Sequence, residues 1–304
     1  IKEDILALEK VKEGEPLMSG KIILNEDHLL PLLTDKETEI KFGSDFPARK
    51  ITTQMNWEDA VLNDTTVSQV NDIMIWVEHN EKLLQDDVMK RKIKPGYRVL
   101  FYGPSGTGKT LTATLLGNHL KKDVYRIDLS QVVSKYIGET EKNLEKVFSK
   151  AEHKNWILFF DEADALFGKR TSVQNAHDRY ANQEVSYLLQ RIEDYAGLLI
   201  LASNFKNNID SALLRRFHTT VYFPMPDYKE RLMLWEKSMP SIIKKEPSLN
   251  LSELATKYEI TGAAILNVAH YATLKAIAIN DSCIRQKDIV EGIRRELRKA
   301  ERTM

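Results

Sequence analysis

Residues 103–110, which read GPSGTGKT, limit the possible folds of this chain more than any other stretch. The segment contains three glycines and directly follows the apolar run at 99–102, so it is poorly suited to a hydrophobic core. Glycines permit backbone conformations that turn successive N–H groups towards one small anion. An apolar strand, a glycine-rich loop and a helix in this order predict a phosphate-binding loop.

The loop also carries the side chains that such a site needs, because it matches the pattern G-x-x-x-x-G-K-[ST] in full. Lys109 is predicted to reach the β- and γ-phosphates, and the Thr110 hydroxyl is predicted to ligate Mg²⁺. A glycine-rich turn without a ligand is the alternative, and the order of strand, loop and helix disfavours it. The predicted nucleotide contacts are Gly103, Pro104, Ser105, Gly106, Thr107, Gly108, Lys109, Thr110 and Leu111.

Alternating apolar runs and helical patterns indicate the fold class. Strands are predicted at 98–102, 124–128, 157–161, 198–203 and 220–223, and helices at 65–90, 109–121 and 139–153. This alternation predicts an α/β P-loop NTPase core of three layers, with a parallel five-stranded sheet. Only helical patterns follow residue 226, which predicts a small all-α lid domain. The predicted divisions are an N-terminal element over 1–55, the α/β domain over 56–226 and the lid over 227–304.

Composition restricts the classes of partner. Lys and Arg total 44, as do Asp and Glu, so the net charge is zero and a general attraction to nucleic acid or acidic membranes is not expected. Cys283 is the single cysteine, which excludes an intrachain disulfide and favours a cytoplasmic location. No apolar run is long enough to span a bilayer.

Polar residues follow two of the predicted strands. Asp161 and Glu162 end the apolar run at 157–160; Asp161 is predicted to hold Mg²⁺ and Glu162 to polarise an attacking water. A turn with solvated charges is the alternative. Asn204 directly follows the predicted strand at 198–203 and is a candidate for orienting the same water, although asparagine more often begins a turn.

Arg215 and Arg216 stand at the end of a predicted helix, just before the last strand. Arginine suits the stabilisation of phosphoryl charge because its guanidinium is planar and stays charged. Basic residues also commonly cap helix C-termini, and taken alone these two favour that interpretation.

Together, residues 98–223 resemble the ATPase core of the AAA+ superfamily, and more narrowly the AAA proteins. GPSGTGKT resembles the Walker A motif of that family, ILFFDEAD resembles its Walker B motif, and Asn204 stands at its sensor 1 position. The resemblance implies ATP hydrolysis with Mg²⁺, in which Glu162 activates the water. It also implies a homo-oligomeric ring, a hexamer, in which Arg215 and Arg216 are arginine fingers that reach the nucleotide of the neighbouring subunit.

Residues 135–144, KYIGETEKNL, resemble the first pore loop of the same family and the helix after it. The resemblance implies that Tyr136, Ile137 and Gly138 grip a polypeptide in the central pore, and therefore that the client is a protein. It also places a second pore loop within 168–178.

Two further resemblances concern the flanks. The run TGAA at 261–264 lies where many relatives carry a sensor 2 element, without the arginine found in the wider superfamily, while Asp59 and Val61 fall where relatives contact adenine. Residues 46–59 resemble a segment of bacterial ATPases encoded with contractile, phage-tail-like injection systems, which implies a client from such an assembly. A nucleic-acid motor or loader and a nucleotide-gated scaffold that does not hydrolyse ATP remain as alternatives.

Overall fold

The computed structural model describes the backbone of residues 6–8, 22–24, 46–129, 139–164, 186–204, 214–279 and 283–302. The strands are β1 (Leu6–Leu8), β2 (Ile22–Leu24), β3 (Ala48–Ile51), β4 (Tyr97–Tyr102), β5 (Val124–Asp128), β6 (Ile157–Asp161), β7 (Leu198–Ser203), β8 (Thr219–Tyr222), β9 (Lys244–Lys245) and β10 (Cys283–Ile284). The helices are α1 (Asp64–Leu83), α2 (Asp87–Lys92), α3 (Lys109–Leu120), α4 (Glu139–Lys154), α5 (Tyr228–Ser238), α6 (Leu251–Lys257), α7 (Gly262–Ala278) and α8 (Gln286–Arg302).

The central sheet has six strands in the order β3-β5-β6-β7-β4-β8. The five strands from β4 to β8 run parallel, which confirms the predicted parallel α/β core. The structure adds β3, which pairs antiparallel with β5 at the edge of the sheet and brings Ala48 opposite Ile127. These residues were predicted to belong to an N-terminal element, because β3 buries Ala48 but exposes Arg49 and Lys50 and so lacks an apolar run. Charged residues of this kind are typical of edge strands.

Both faces of the sheet are covered, which explains the uniformly apolar strands. Alternate residues point to opposite faces, so that Leu158 and Phe160 of β6 belong to one core cluster while Ile157 and Phe159 belong to another. The first cluster includes residues of α4, and the second includes residues of α1 and α3. The sheet between helices on both sides gives the predicted three layers.

The helical pattern predicted over 65–90 forms two helices. Helix α1 ends at Leu83, and Asp86 then caps α2 by accepting the backbone N–H groups of Val88 and Met89 at 3.0 and 2.9 Å. Aspartate is a preferred N-cap because its carboxylate satisfies the free N–H groups of the first turn. The N-cap at Asp86 therefore begins a second helix within the segment that was predicted to be one helix.

Residues after 226 pack around a third core cluster, centred on the fully buried Trp235. Helices α5 to α8 supply this cluster, together with a two-residue parallel pairing of β9 with β10 that the helical patterns did not indicate. The predicted domain boundary falls between β8 and α5, and the assignment of the two parts as separate domains stays a prediction. Within the described ranges, no helix combines the length and apolar composition needed to cross a membrane.

Candidate functional site

The loop after β4 has the backbone geometry that its glycines predicted. Gly103, Gly106 and Gly108 all have positive φ angles, of 142°, 78° and 104°. Gly108 is the N-cap of α3, so the loop leads directly into a helix whose first N–H groups carry positive potential. This arrangement fits the binding of an anion such as a phosphate group.

Two of these glycines are also required by close packing. A Cβ atom at Gly103 would lie 2.1 Å from the carbonyl oxygen of Phe223, and one at Gly106 would lie 2.7 Å from Oγ1 of Thr261. At Gly108 the nearest atom would be 3.5 Å away, in the side chain of Leu62. The first two glycines therefore allow β8 and α7 to approach the loop, whereas the backbone conformation alone requires the third.

The start of α7 lies directly against the loop. The backbone N–H of Ala263 donates to the carbonyl oxygen of Gly106 at 3.2 Å, and Thr261 caps α7 by accepting the N–H of Ala264 at 3.3 Å. The TGAA segment at 261–264 thus contacts the phosphate-binding loop through backbone atoms, so no arginine is needed for this contact.

Lys109, the charged residue of the loop, is largely buried, with 8% of its surface exposed. Its Nζ donates to the carbonyl oxygens of Gly103 and Pro104 at 2.6 and 2.9 Å, and to Oδ1 of Asn204 at 3.1 Å. Burial lowers the pKa of Lys109 to about 8, against the opposing effect of the Asp161 and Asp164 carboxylates. The ammonium group therefore stays largely protonated at neutral pH and can act as a charge partner for phosphate.

The turn after β6 holds the two predicted carboxylates in different environments. Oδ1 of Asp161 accepts the backbone N–H of Glu162 at 3.0 Å, and its Oδ2 lies 3.0 Å from Nη2 of Arg126, a partner that the sequence analysis missed. Glu162 is exposed and has a φ of 53°, a conformation that costs free energy for a residue with a side chain. Strain of this kind is common at functional sites.

A third carboxylate, which the sequence analysis did not single out, joins this turn to β7. Asp164 accepts the hydroxyl of Ser203 through Oδ1 and the backbone N–H of Asn204 through Oδ2, the latter at 2.9 Å. The N–H of Ala163 also donates to the carbonyl oxygen of Ala202 at 3.0 Å. In the sequence, Asp164 is the last residue of the DEAD run at 161–164. A short acidic run does not indicate which distant residue each of its carboxylates will contact.

The residues present fit a magnesium nucleotide. Thr110, in the first turn of α3, and Asp161, at the end of β6, supply hydroxyl and carboxylate oxygens, which are ligands that Mg²⁺ prefers. Among the described residues, no group of three or more His, Cys, Asp or Glu side chains could hold a metal ion. Mg²⁺ is commonly held by one or two protein ligands together with substrate phosphates and water, so a site with two such side chains is sufficient for it.

Arg215 and Arg216 are exposed and lie near the opposite end of β4. Arg98, the second residue of β4, donates its Nε to the carbonyl oxygen of Arg216 at 3.0 Å, and Nη1 of Arg216 lies 2.5 Å from Oε1 of Glu193. Gly103 lies five residue steps beyond Arg98 along the strand, a distance of about 17 Å. The structure therefore does not bring the arginine pair to the phosphate-binding loop of the same chain.

Of the remaining predicted site residues, Asp59 and Val61 lie within the part of the chain that the structure describes. Val61 lines a cleft between α1 and α5, whereas Oδ2 of Asp59 accepts the backbone N–H of Asn56 at 2.8 Å and closes a turn. Tyr136, Ile137 and Gly138, as well as residues 168–178, lie outside the described residues.

Comparison with known proteins agrees with this geometry. Residues 99–225 match the family described as "ATPase family associated with various cellular activities (AAA)". The chain is 30% identical over 241 residues to Cell division protein C of Sulfolobus acidocaldarius, an alignment that covers 74% of this chain and 64% of that protein. It is 31% identical over 219 residues to a 26S proteasome regulatory subunit 6B homolog of Encephalitozoon cuniculi, with 69% and 56% covered.

A third relative extends the alignment over more of the chain. The ATP-dependent zinc metalloprotease FtsH 2 of a Thermoanaerobacter species is 31% identical over 275 residues, which cover 88% of this chain and 51% of that protein. The chain thus spans about half to two thirds of the length of these three relatives. With the glycine loop, the carboxylate turn and Asn204 at one edge of the sheet, residues 99–225 form an ATPase domain of the AAA family.

Proposed function

We propose that this protein is an ATP-hydrolysing motor that acts as a ring of identical subunits, a hexamer, on a protein client. The observation that carries the proposal is the contact of the Lys109 ammonium with Asn204, beneath a loop of three positive-φ glycines and beside the turn that bears Glu162. This arrangement supplies a phosphate site, a cation and an exposed base at one edge of the sheet.

The proposed reaction uses these groups in separate roles. Lys109 and the N–H groups of the loop bind the phosphates, and Glu162 accepts a proton from the water that attacks the γ-phosphorus. Asn204 orients that water, the bond between the γ-phosphorus and the bridging oxygen breaks, and ADP leaves. Mg²⁺, bound with the help of Thr110 and Asp161, would neutralise phosphate charge.

The distance between the loop and the arginine pair supports a ring. Arg215 lies too far from the loop of its own chain to act there, so we assign it and Arg216 to the nucleotide of a neighbouring subunit. Both are exposed, as a contact with another copy requires. Relatives named as proteasome regulatory subunits and as an ATP-dependent metalloprotease support a protein client. The zero net charge disfavours a nucleic-acid motor.

Tyr136 is proposed to contact the client in the central pore, together with Ile137 and Gly138. The Tyr136→Ala variant is then expected to melt at the wild-type temperature and to keep its basal ATPase activity, while it loses stimulation by client. A buried tyrosine would instead cost about 3 kcal/mol or more of stability on replacement by alanine. Thermal melting and ATPase assays with and without client separate these outcomes.

The client is proposed to be a component of a contractile injection system, and the proposed location is the cytoplasm. The segment at 46–59 suggests the client, although part of it also has a structural role, because the Phe46 ring lies edge-on to Trp156 at 6.4 Å and residues 48–51 form β3. Binding to isolated sheath or baseplate proteins tests this part, and the absence of binding to any of them would contradict it.

The paired variants Lys109→Ala and Glu162→Gln test the function itself. Lys109→Ala is expected to lose ATP binding, while Glu162→Gln is expected to bind ATP and to lose turnover by about 10²-fold or more. Trapped ATP should also favour hexamers, which light scattering would detect, and hold the client for a pull-down. A wild-type chain that releases no phosphate would instead indicate a nucleotide-gated scaffold, and salt-dependent stimulation by DNA would indicate a nucleic-acid motor.

A further inference from the structure

We propose that Asp164 is a positioning residue, which sets the orientation of Asn204 in the hydrolysis site without touching the nucleotide. The inference rests on the proposed function, because it assigns a task within that reaction. It concerns a carboxylate that neither the loop motif nor the roles of Asp161 and Glu162 require.

The contacts of Asp164 are directed at two consecutive residues. One carboxylate oxygen accepts the Ser203 hydroxyl and the other accepts the Asn204 backbone N–H. Ser203 is 1% exposed and is the last residue of β7, so its side chain cannot be displaced without disturbing the sheet. With both oxygens bound to one dipeptide, rotation of the backbone at the end of β7 is restricted.

The turn that bears Asp164 is itself fixed to β7. The N–H of Ala163 donates to the carbonyl oxygen of Ala202 at 3.0 Å, and Ala163 is fully buried. Three hydrogen bonds therefore join the turn after β6 to the end of the neighbouring strand. These bonds hold the end of β7, and with it the backbone of Asn204, against a turn whose Ala163 is buried.

The side chain of Asn204 connects this restricted backbone to the phosphate site. Its Oδ1 accepts the Lys109 Nζ at 3.1 Å. Because Asp164 binds the backbone N–H of Asn204, the side chain of Asn204 starts from a fixed Cα position. Loss of Asp164 would let that position shift, and a misplacement of about 1 Å can reduce a rate by about 10²-fold.

A competing explanation is that Asp164 acts through its charge on Lys109. The carboxylate favours the charged form of Lys109 and raises the pKa of that group, against the effect of burial. The variant Asp164→Asn separates the two, because it removes the charge and keeps the shape. The amide oxygen can accept the Asn204 N–H, and the amide nitrogen can donate to the Ser203 hydroxyl.

The experiment measures kcat and KM for ATP in the full chain for Asp164→Asn, Asp164→Ala, Asn204→Ala and the double alanine variant. Asp164→Ala is expected to lower kcat by about 10- to 100-fold with little change in KM, and Asp164→Asn to recover most of the loss. In the Asn204→Ala background, Asp164→Ala should have no further effect, because both changes remove the same function. Asp123→Ala is the control, since that carboxylate pairs with Lys50 at 2.7 Å on the surface.

Three outcomes would overturn the inference: independent losses in the double variant, an Asp164→Asn variant as slow as Asp164→Ala, or a loss of kcat explained by a lower melting temperature. Hydrogen exchange at the Asn204 amide gives a readout without turnover, and it should be faster in Asp164→Ala than in Asp164→Asn. A wild-type chain without ATPase activity would refute the proposed function and the catalytic task of Asp164, whereas unchanged exchange at Asn204 would refute the positioning contact itself.

Discussion

The two ends of β4 use buried positive charge in opposite ways. At the carboxyl end, the Lys109 ammonium is bound by the loop carbonyls and by Asn204, in a place where the helix N-terminus also favours an anion. At the amino end, the Arg98 guanidinium donates to the carbonyl oxygens of Arg216 and Glu193 at 3.0 and 2.9 Å. The first charge lies beside the predicted phosphate site, while the second is bound to the protein's own backbone.

Aromatic rings complete the amino end. Tyr97 stacks on His218 at 5.0 Å and on Trp76 at 4.7 Å, and Nδ1 of His218 accepts the backbone N–H of Arg98 at 3.0 Å. This cluster holds the chain that enters β8 and leaves Arg215 exposed. One end therefore holds its charge beside a loop that fits an anion, whereas the other binds its charge to the protein's own backbone and leaves Arg215 exposed.

The largest expected effect comes from Arg215→Ala. An arginine finger contributes about 10³-fold or more to turnover in related phosphoryl-transfer systems, so turnover should fall by that factor while ATP affinity stays near wild type. Arg294→Ala, a change at an exposed arginine of α8, is the matched control. Mixing Arg215→Ala with Lys109→Ala subunits should restore part of the activity, and well-mixed rings without recovery would contradict action on a neighbour.

Gly103→Ala should have the next largest effect, and it acts on stability. The new Cβ would lie 2.1 Å from the Phe223 carbonyl oxygen at a φ of 142°, so we expect a loss of about 3 kcal/mol from strain and overpacking. Gly108→Ala should cost less, because its Cβ meets only Leu62 at 3.5 Å. Urea denaturation of the two variants tests this order, and equal losses would show that packing against β8 does not set the requirement at Gly103.

Arg98→Met sharpens the contrast between the two ends. Without the guanidinium, the carbonyl oxygens of Glu193 and Arg216 lose their donor, and the chain should lose about 2 kcal/mol of unfolding free energy. ATP binding should persist in Arg98→Met, in contrast to Lys109→Ala, which should lose it. Isothermal titration with ATP and chemical denaturation on both variants measure the two quantities. Loss of ATP affinity in Arg98→Met would mean that the ends of β4 are coupled.

The smallest expected effect is a pH dependence at His218. Burial, followed by the Arg98 charge, lowers the pKa of His218 below its ordinary value of 6.5. The folded state therefore binds this proton less readily than the unfolded state, so the contribution to stability is complete above pH 6.5 and is lost as the pH falls below it. Between pH 7 and pH 5, the free energy of unfolding of His218→Asn should fall less than that of the wild type. Urea denaturation at each pH measures this, and parallel plots of unfolding free energy against pH for the two proteins would exclude the effect.

The parts of the fold that were predicted correctly are those marked by an uninterrupted run or a compact motif in the sequence. The five parallel strands agree with the predicted runs to within one residue at each end, because strands buried on both faces are apolar throughout. The helix boundary at Lys109 followed from the loop motif in the same way. The edge strand β3 was missed, since a strand that buries Ala48 between polar neighbours has no such pattern.

Local sequence was enough to predict the glycine-rich loop, the order of strands and helices, and the residue types at the strand ends, since each depends on neighbours a few positions away. Tertiary structure alone decided that Asp164 binds Asn204, 40 residues further along, and that Arg98 binds Arg216, 118 residues away. It also decided that Gly106 lies against the start of α7. These contacts depend on which strand ends and helix ends the folded sheet brings together, and a polar side chain gives no sign in the sequence of the distant donor or acceptor that will satisfy it.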